Sequence, residues 1–448
     1  MLKKSRNYVA LLLALLMCVS SFIPAFAAED PITITDKEGY ETSDPDSPVP
    51  AVITKNLRMP TGTNTPDAEF IFAARALNKD GRTDADTLAG MPSLNENNLK
   101  VTYSTSDVMG EESEDVLSLR RETQNILAGV TFDTLGAGIY EYEITESQAS
   151  SILNIAPEDH HLFLSTARYI LAIYVDNHPV REGETYVFGV GARRIEEIDG
   201  ETVETKVNML PGGGGMMFVN SFVKQNDPKN PEPDIIKEDP ENPDEWEWGE
   251  GVAFTVSNTV TGPFANLNLH FVYTITMEGP DIHPDFEWPD YYRAYVVENG
   301  AVIDPEKNAA SGLIGGPDGN GNRYIMVNPL GDTTFTLTHG QTLVFVDTPV
   351  GSKYNITQAA QTDYIPSYTI TTNSVTGEKE EREVGQSITT GWQRIEEPAN
   401  SADFVNTRDN VIPAGLTLAN LPFTMMIVLG LGGLVAYIVL GARRRRDY

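Results

Sequence analysis

The chain has 448 residues, which is enough for two or three domains of ordinary size. Its 64 acidic residues outnumber its 32 basic residues, and the net charge of −32 argues against nucleic-acid binding, which requires a basic surface. The one cysteine is Cys18, so a chain that loses its first 27 residues has no disulfide, no thiolate metal site and no thiol nucleophile.

The N-terminus has the pattern of a secretory signal peptide over residues 1–27. Basic residues are followed by the apolar run VALLLALLMCVSSFIPAF and by a small-x-small cleavage site, AFA, at its end. We therefore expect an exported protein whose mature chain opens with an N-terminal segment, residues 28–50. An uncleaved membrane anchor is the alternative interpretation of the same run.

The middle of the chain predicts an all-β protein. Short runs that alternate apolar and polar residues, such as EFIFAA, LKVTYST and YILAIYV, are separated by Gly, Asn, Asp and Pro, and no long stretch has a helical period. This pattern is typical of Ig-like β-sandwich domains. A Pro- and acid-rich segment, 225–251, predicts an extended linker between domain 1 (51–224) and domain 2 (252–409). Trp246 and Trp248 are expected to pack against domain 2.

Three predicted strands of domain 1 each direct a polar side chain towards the core. In AVITKNL, Lys55 lies in the middle of the more apolar face. In GIYEYEITE, Glu146 ends the apolar face, and in MMFVNSF, Asn220 lies among apolar residues. Because an unpaired buried ammonium costs several kcal/mol, Lys55 is expected to have buried partners.

The three side chains have the chemistry for a covalent self-reaction. Burial lowers the pKa of a lysine and raises that of a carboxyl group, so that a neutral amine can face a protonated Glu146. A neutral Lys55 is a nucleophile, and its attack on the side-chain carbon of Asn220 would expel ammonia and leave an isopeptide bond. The alternative is a buried Lys–Glu ion pair with Asn220 as a hydrogen-bonding neighbour.

These motifs resemble the first domain of two-domain pilus backbone subunits of Gram-positive bacteria, the T-antigen type, which have CnaB-like β-sandwich domains. In that family a first-strand Lys, the Glu of a Y-x-hydrophobic-x-E box and a last-strand Asn form an intramolecular isopeptide bond. The resemblance implies the same roles for Lys55, Glu146 (in YEITE, 142–146) and Asn220, with Glu146 as the catalytic residue.

Domain 2 departs from this pattern. The strand motifs AFTVSNTVTG, YNITQ and ADFVNTRD stand where the family has its reactive residues, but the positions of Lys, Glu and Asn are occupied by Asn258, Gln358 and Asn406. This degenerate triad has neither an amine nucleophile nor a proton-shuttling acid. We expect no isopeptide bond in domain 2.

The C-terminal segment, 411–448, resembles the sorting signal of the same family. An apolar stretch long enough to span a bilayer, 421–442, is followed by four arginines that act as a positive-inside stop. Before it stands VIPAG, where the family has a V-P-T-G-type sortase site; its last four residues are Ile412, Pro413, Ala414 and Gly415. Alanine replaces the usual threonine, and a permanent tail anchor is the alternative.

The resemblance implies a non-enzymatic, pilin-like protein attached to the cell wall at the cell surface, without cofactor or metal. Its partners would be sortase and other pilin subunits or peptidoglycan. The family's acceptor lysine is replaced by Gly213 in PGGGG, which we interpret as a hairpin turn, and Lys206 and Lys224 are the nearest substitutes. A monomeric adhesin on the same scaffold, binding a host or cell-surface ligand, is therefore the alternative function.

Overall fold

The computed structural model describes residues 42, 44–107, 110–113, 115–198, 200–209, 214–225, 235–238, 246–249 and 251–409. The predicted signal peptide, the sorting signal and most of the N-terminal segment and linker lie outside these residues. No helix among the described residues is long and apolar enough to cross a membrane. The described residues form two compact units, and the second begins at Val223, apart from residues 60–63 and 158–160, which group with it.

The prediction of an all-β protein is confirmed. The described part of the chain has one α-helix, α1 (Ala85–Gly90), which begins where the Asp84 side chain accepts a hydrogen bond from the backbone N–H of Thr87. Short 3₁₀ turns occupy Pro157–Asp159, Pro305–Lys307 and Ser311–Leu313. All other regular structure is β-strand.

The first unit contains two sheets. Its strands are β1 (Ile53–Pro60), β2 (Ala68–Lys79), β3 (Lys100–Tyr103), β4 (Glu111–Ser113), β5 (Val116–Glu122), β6 (Gly138–Glu146), β7 (Ser151–Ile152), β8 (His160–Phe163), β9 (Arg168–Asn177), β10 (Thr185–Ile198), β11 (Glu201–Val207) and β12 (Met216–Lys224). One sheet has the order β4-β5-β1-β12-β8, and the other has the order β11-β10-β9-β6-β2-β3 with β7 beside β2.

The core of the first unit lies between the two sheets. Alternate residues of β1 and β12, such as Ile53, Leu57 and Phe218, share one buried cluster with Tyr142 and Ile144 of β6 in the other sheet. The alternating pattern therefore produces a sandwich in which β1 and β6 present their apolar faces to the same interior. β11 and β12, the strands before and after PGGGG, lie in different sheets, so the interpretation of this segment as a hairpin turn is wrong.

The segment predicted as an extended linker contains a two-stranded antiparallel sheet, β13 (Ile236–Glu238) and β14 (Trp246–Trp248). Trp248 packs against a buried cluster of the second unit that includes Ile235, Tyr295 and Val344. For Trp246 the structure describes only the backbone. The Pro- and acid-rich composition does not predict the two short strands, because only a few apolar residues of the segment contact the second unit.

The second unit is also built from two sheets. Its strands are β15 (Phe254–Thr261), β16 (Phe271–Glu278), β17 (Tyr292–Glu298), β18 (Ala301–Ile303), β19 (Ile314–Gly315), β20 (Tyr324–Val327), β21 (Thr333–Leu337), β22 (Gln341–Phe345), β23 (Lys353–Gln358), β24 (Ile365–Thr372), β25 (Val375–Thr376), β26 (Glu380–Glu381), β27 (Ile388–Thr389), β28 (Gln393–Arg394) and β29 (Ser401–Thr407). The larger sheet has the order β19-β20-β17-β22-β15-β29-β24-β25, with β18 beside β17 and β26 beside β24. The smaller has the order β21-β16-β23-β27, with β28 beside β23.

In both units the first long strand lies beside the last one, and the two run parallel. β1 pairs with β12 in this way, and β15 pairs with β29. A parallel pair cannot be closed by a tight turn, so in each unit the chain crosses the whole sandwich before it returns to its first strand. This arrangement positions the site described next.

Candidate functional site

The parallel pairing of β1 and β12 brings Lys55 and Asn220 to the same face of one sheet. Lys55 pairs with Phe218, and Leu57, two residues further along β1, pairs with Asn220. Because side chains alternate along a strand, residues two positions apart share a face. Glu146 is the last residue of β6, which lies in the opposing sheet.

The structure brings the three predicted side chains together. The Lys55 Nζ atom lies 2.7 Å from Oε1 and 2.8 Å from Oε2 of Glu146. The Asn220 Nδ2 atom donates a hydrogen bond of 2.8 Å to the same Oε1 atom. Glu146 therefore bridges the amine and the carboxamide.

The site is dry. The side chains of Lys55 and Glu146 are both 0% exposed, and Asn220 is also fully buried. The Lys55 Nζ atom lies 4.5 Å from the centre of the Phe70 ring, and the buried Phe218 on β12 is the cross-strand partner of Lys55. Burial lowers the pKa of Lys55 to about 8, although the nearby Glu146 carboxylate opposes this shift. A substantial fraction of the amine is therefore neutral in mildly alkaline solution.

A fourth group at the site was not predicted. The backbone N–H of Ser165 donates one hydrogen bond of 2.8 Å to Asn220 Oδ1 and another of 3.1 Å to Glu146 Oε2. It polarises the Asn220 carbonyl and fixes the orientation of the carboxamide. Every residue except proline supplies such an N–H, so no side-chain pattern marks this position.

The backbone of β1 is also anchored beside the site. The single proton of the Tyr103 hydroxyl is shared between the backbone oxygens of Lys55, at 3.0 Å, and Leu119, at 3.1 Å. Burial raises the pKa of Tyr103 well above its usual range, so the hydroxyl keeps its proton. This contact limits movement of the strand that carries the amine.

The degenerate triad of the second unit occupies the same relative positions. Asn258 on β15 pairs with Phe404 of β29, and Val260 pairs with Asn406. Asn406 Nδ2 donates to Asn258 Oδ1 at 3.0 Å, while Gln358 Nε2 donates to Asn406 Oδ1 at 2.6 Å. The three amides are 0–1% exposed. They form a hydrogen-bonded cluster without an ionisable group among them.

The remaining predicted site residues, Ile412, Pro413, Ala414 and Gly415, lie outside the described residues, as does the predicted span 421–442. Of the suggested acceptor lysines, Lys206 lies exposed on the edge strand β11, and Lys224 ends β12. No group of three His, Cys, Asp or Glu side chains in the described part of the chain could hold a metal ion.

Comparison with protein families matches residues 253–408 to a domain of unknown function, DUF7601. No curated protein matches the chain. Among solved structures, the major pilin of Streptococcus pyogenes is similar, with 15% identity, a TM-score of 0.28 and coverage of 81% of this chain and 99% of the pilin. The T3.2 major pilin of the same organism has 16% identity, a TM-score of 0.28 and coverage of 80% and 98%.

A pilus-presented adhesin, Cpa, is also similar, with 12% identity, a TM-score of 0.21 and coverage of 52% of this chain and 38% of the adhesin. These proteins are of the class that the sequence motifs resemble. The TM-scores are low, so the function of this chain is inferred from its own side-chain geometry.

Proposed function

We propose that this protein is a pilin-like structural subunit of the Gram-positive cell surface, and that its first domain forms an isopeptide bond between Lys55 and Asn220. The buried contact of Lys55, Glu146 and Asn220 carries the proposal. A lysine without exposure to solvent, held at 2.7 Å from a buried carboxyl group, is costly to keep as an ion pair, because desolvation offsets much of the attraction. A covalent amide removes the charge.

The bond forms in one self-reaction without turnover. The neutral Lys55 amine attacks Asn220 Cγ, and the charge that develops on Oδ1 is stabilised by the Ser165 N–H. Glu146 accepts a proton from Nζ and delivers a proton to Nδ2. The Cγ–Nδ2 bond breaks, ammonia leaves, and an Nζ–Cγ amide remains.

The bond would join the first and last strands of the domain. A pulling force that enters through β1 and leaves through β12 would pass through the covalent bond between them, so the residues in between would bear little load. This is the mechanical property that a subunit of a surface fibre needs. It also stabilises an exported chain whose mature part has no cysteine for disulfides.

Mass spectrometry of the intact protein tests the bond. The wild-type chain is expected to weigh one ammonia less than its sequence predicts, whereas Glu146→Gln is expected to have its full calculated mass. Glu143→Gln is the matched control, because Glu143 lies on the same strand and pairs on the other face with Arg75 and Arg168; it should retain the loss. A wild-type protein of full mass would refute the bond.

We further propose that sortase cleaves VIPAG between Ala414 and Gly415 and transfers the new carboxyl end to an amine of another subunit or of peptidoglycan. In cells that carry the cognate sortase, the wall extract should contain SDS-resistant species in which Ala414 is the last residue of the chain and is joined by an amide bond to the acceptor amine. A ladder of masses indicates a polymer. A single band that binds a host or neighbouring cell indicates the adhesin, and an intact C-terminus contradicts sorting.

A further inference from the structure

In the second domain, as in the first, the first long strand lies parallel to the last strand, but the side chains at the buried site between them are different. β15 and β29 run parallel with seven paired positions, from Thr255 with Ser401 to Thr261 with Thr407. The chain enters the domain through β15 and leaves through β29. A force along the chain therefore loads this strand pair in shear, and all of its hydrogen bonds resist together.

The three buried amides of the second domain cannot form a covalent bond that would join these strands and bear the load. Asn258 takes the position of the reactive lysine, and a carboxamide nitrogen is not a nucleophile at neutral pH. Gln358 takes the position of the acid and has no acidic proton to transfer. Asn406 is held as a carboxamide by Gln358 and Asn258, and neither of these two partners has an amine that could attack it.

We propose that the second domain is the extensible, load-limiting element of the chain, and that the identities of Asn258 and Gln358 decide this. For its setting at the cell surface the inference rests on the proposed function. Above a threshold force the β15–β29 pair separates and the domain lengthens, while a crosslinked first domain stays folded. Extension thus limits the force that reaches the attachment point of the protein.

The amide cluster makes this extension reversible. Gln358 and Asn406 exchange two hydrogen bonds, at 2.6 and 3.2 Å, and Asn258 Nδ2 donates to the backbone oxygen of Leu337 at 3.1 Å. Buried amides need these partners, because an unsatisfied buried polar group is costly. The cluster therefore favours a single register when the strands meet again, and no covalent bond is lost during extension.

Single-molecule force spectroscopy of the full chain in detergent, pulled between residues 44 and 409, tests the proposal. The wild type should show one reversible extension of about 50 nm, because some 156 residues are released at up to ~3.6 Å each, less the folded length. The double variant Asn258→Lys/Gln358→Glu should lose one additional ammonia and show no extension. The control Gln358→Glu lacks the amine and should extend like the wild type.

Several results would overturn the inference. The first is a wild-type chain that has lost one ammonia and yet does not extend. The second is a double variant that folds without losing the second ammonia. The third is a double variant that loses the second ammonia and still extends by about 50 nm. If the double variant does not fold, Glu146→Gln decides instead. It should add a second, longer event to the wild-type trace, and a trace without the 50 nm event refutes the extensible role.

The outcome for the proposed function can be separated from this one. A wild-type chain of full calculated mass that shows two extensions would refute the isopeptide bond of the first domain, while the extension of the second domain would still be observed.

Discussion

Replacement of the buried lysine by an apolar side chain of similar length is the most direct perturbation of the first domain. Lys55→Met removes the nucleophile and leaves a methionine in a pocket that already contains Phe70 and Phe218. Glu146 keeps hydrogen bonds from Asn220 and Ser165. The substitution would therefore remove the proposed crosslink without leaving an unpaired buried ammonium.

The expected loss of stability follows from the size of the closed loop. Lys55 lies 91 positions before Glu146, which lies 74 positions before Asn220. Loop-closure arithmetic taken from disulfides then gives roughly 5 kcal/mol, as an upper guide, for the entropy that the crosslink removes from the unfolded chain. In a domain of this size, where each kcal/mol moves the unfolding midpoint by about 2–4 °C, the loss corresponds to roughly 10–20 °C.

Differential scanning calorimetry measures this effect, with Lys100→Met as the matched control. Lys100 lies on β3 of the same domain, is 46% exposed and pairs with Glu69, so its replacement should cost at most about 1 kcal/mol. In Lys55→Met the transition of the first domain should fall by the calculated amount, while that of the second domain stays in place. Equal midpoints for the two variants would refute the reasoning.

Three other predictions address the titration of the amine, the backbone of the second domain and the unpredicted donor. In Asn220→Ala, which cannot form the bond, burial lowers the pKa of Lys55 to about 8 from its ordinary 10.5. Between these two pH values the unfolded chain binds more protons than the folded chain, so the stability to urea should rise with pH. The wild type should lack this contribution, because its amine is acylated in the proposed bond. A flat profile for Asn220→Ala would contradict a lowered pKa. Gly262→Ala should destabilise the second domain by about 2–4 kcal/mol in thermal unfolding, because Gly262 has φ +108° and a Cβ there would lie 2.0 Å from a backbone oxygen. Gly340→Ala, at φ +77° in open space, should cost only about 1–2 kcal/mol, and equal losses would contradict a steric cause. Ser165→Pro removes the N–H that polarises the carboxamide and should slow or abolish the loss of ammonia, whereas Ser165→Ala keeps the N–H and the loss. An equal loss of ammonia in these two variants, each measured against its own calculated mass, would refute the role of the N–H.

Much of the fold follows from alternation alone, because strand side chains have a period of two. The pattern of AVITKNL places Lys55 on the same face as Ile53 and Leu57, and all three are fully buried. The same argument places Glu146 and Asn220 inward. Burial of a long amine is unusual enough that its presence on an apolar stripe is informative.

The features that alternation did not predict depend on the backbone or on distant partners. Ser165 acts through its N–H, which almost every residue has. The β13–β14 hairpin depends on a few apolar residues that meet a surface built from strands far away in sequence. The strands before and after PGGGG lie in different sheets, although the glycines are equally compatible with a hairpin.

The two domains show that scaffold geometry and chemistry at this site are separable. Lys55 and Asn220 have the same relative position in their strand pair as Asn258 and Asn406 have in theirs. In both parallel pairs, the asparagine of the last strand pairs with the residue two positions after Lys55 or Asn258. Burial is also the same, with 0–1% exposure at each of these positions. The fold therefore builds the same buried strand geometry twice, and we infer that the presence of an amine and an acid decides whether a covalent bond can form. Two substitutions in the second domain should be enough to test this.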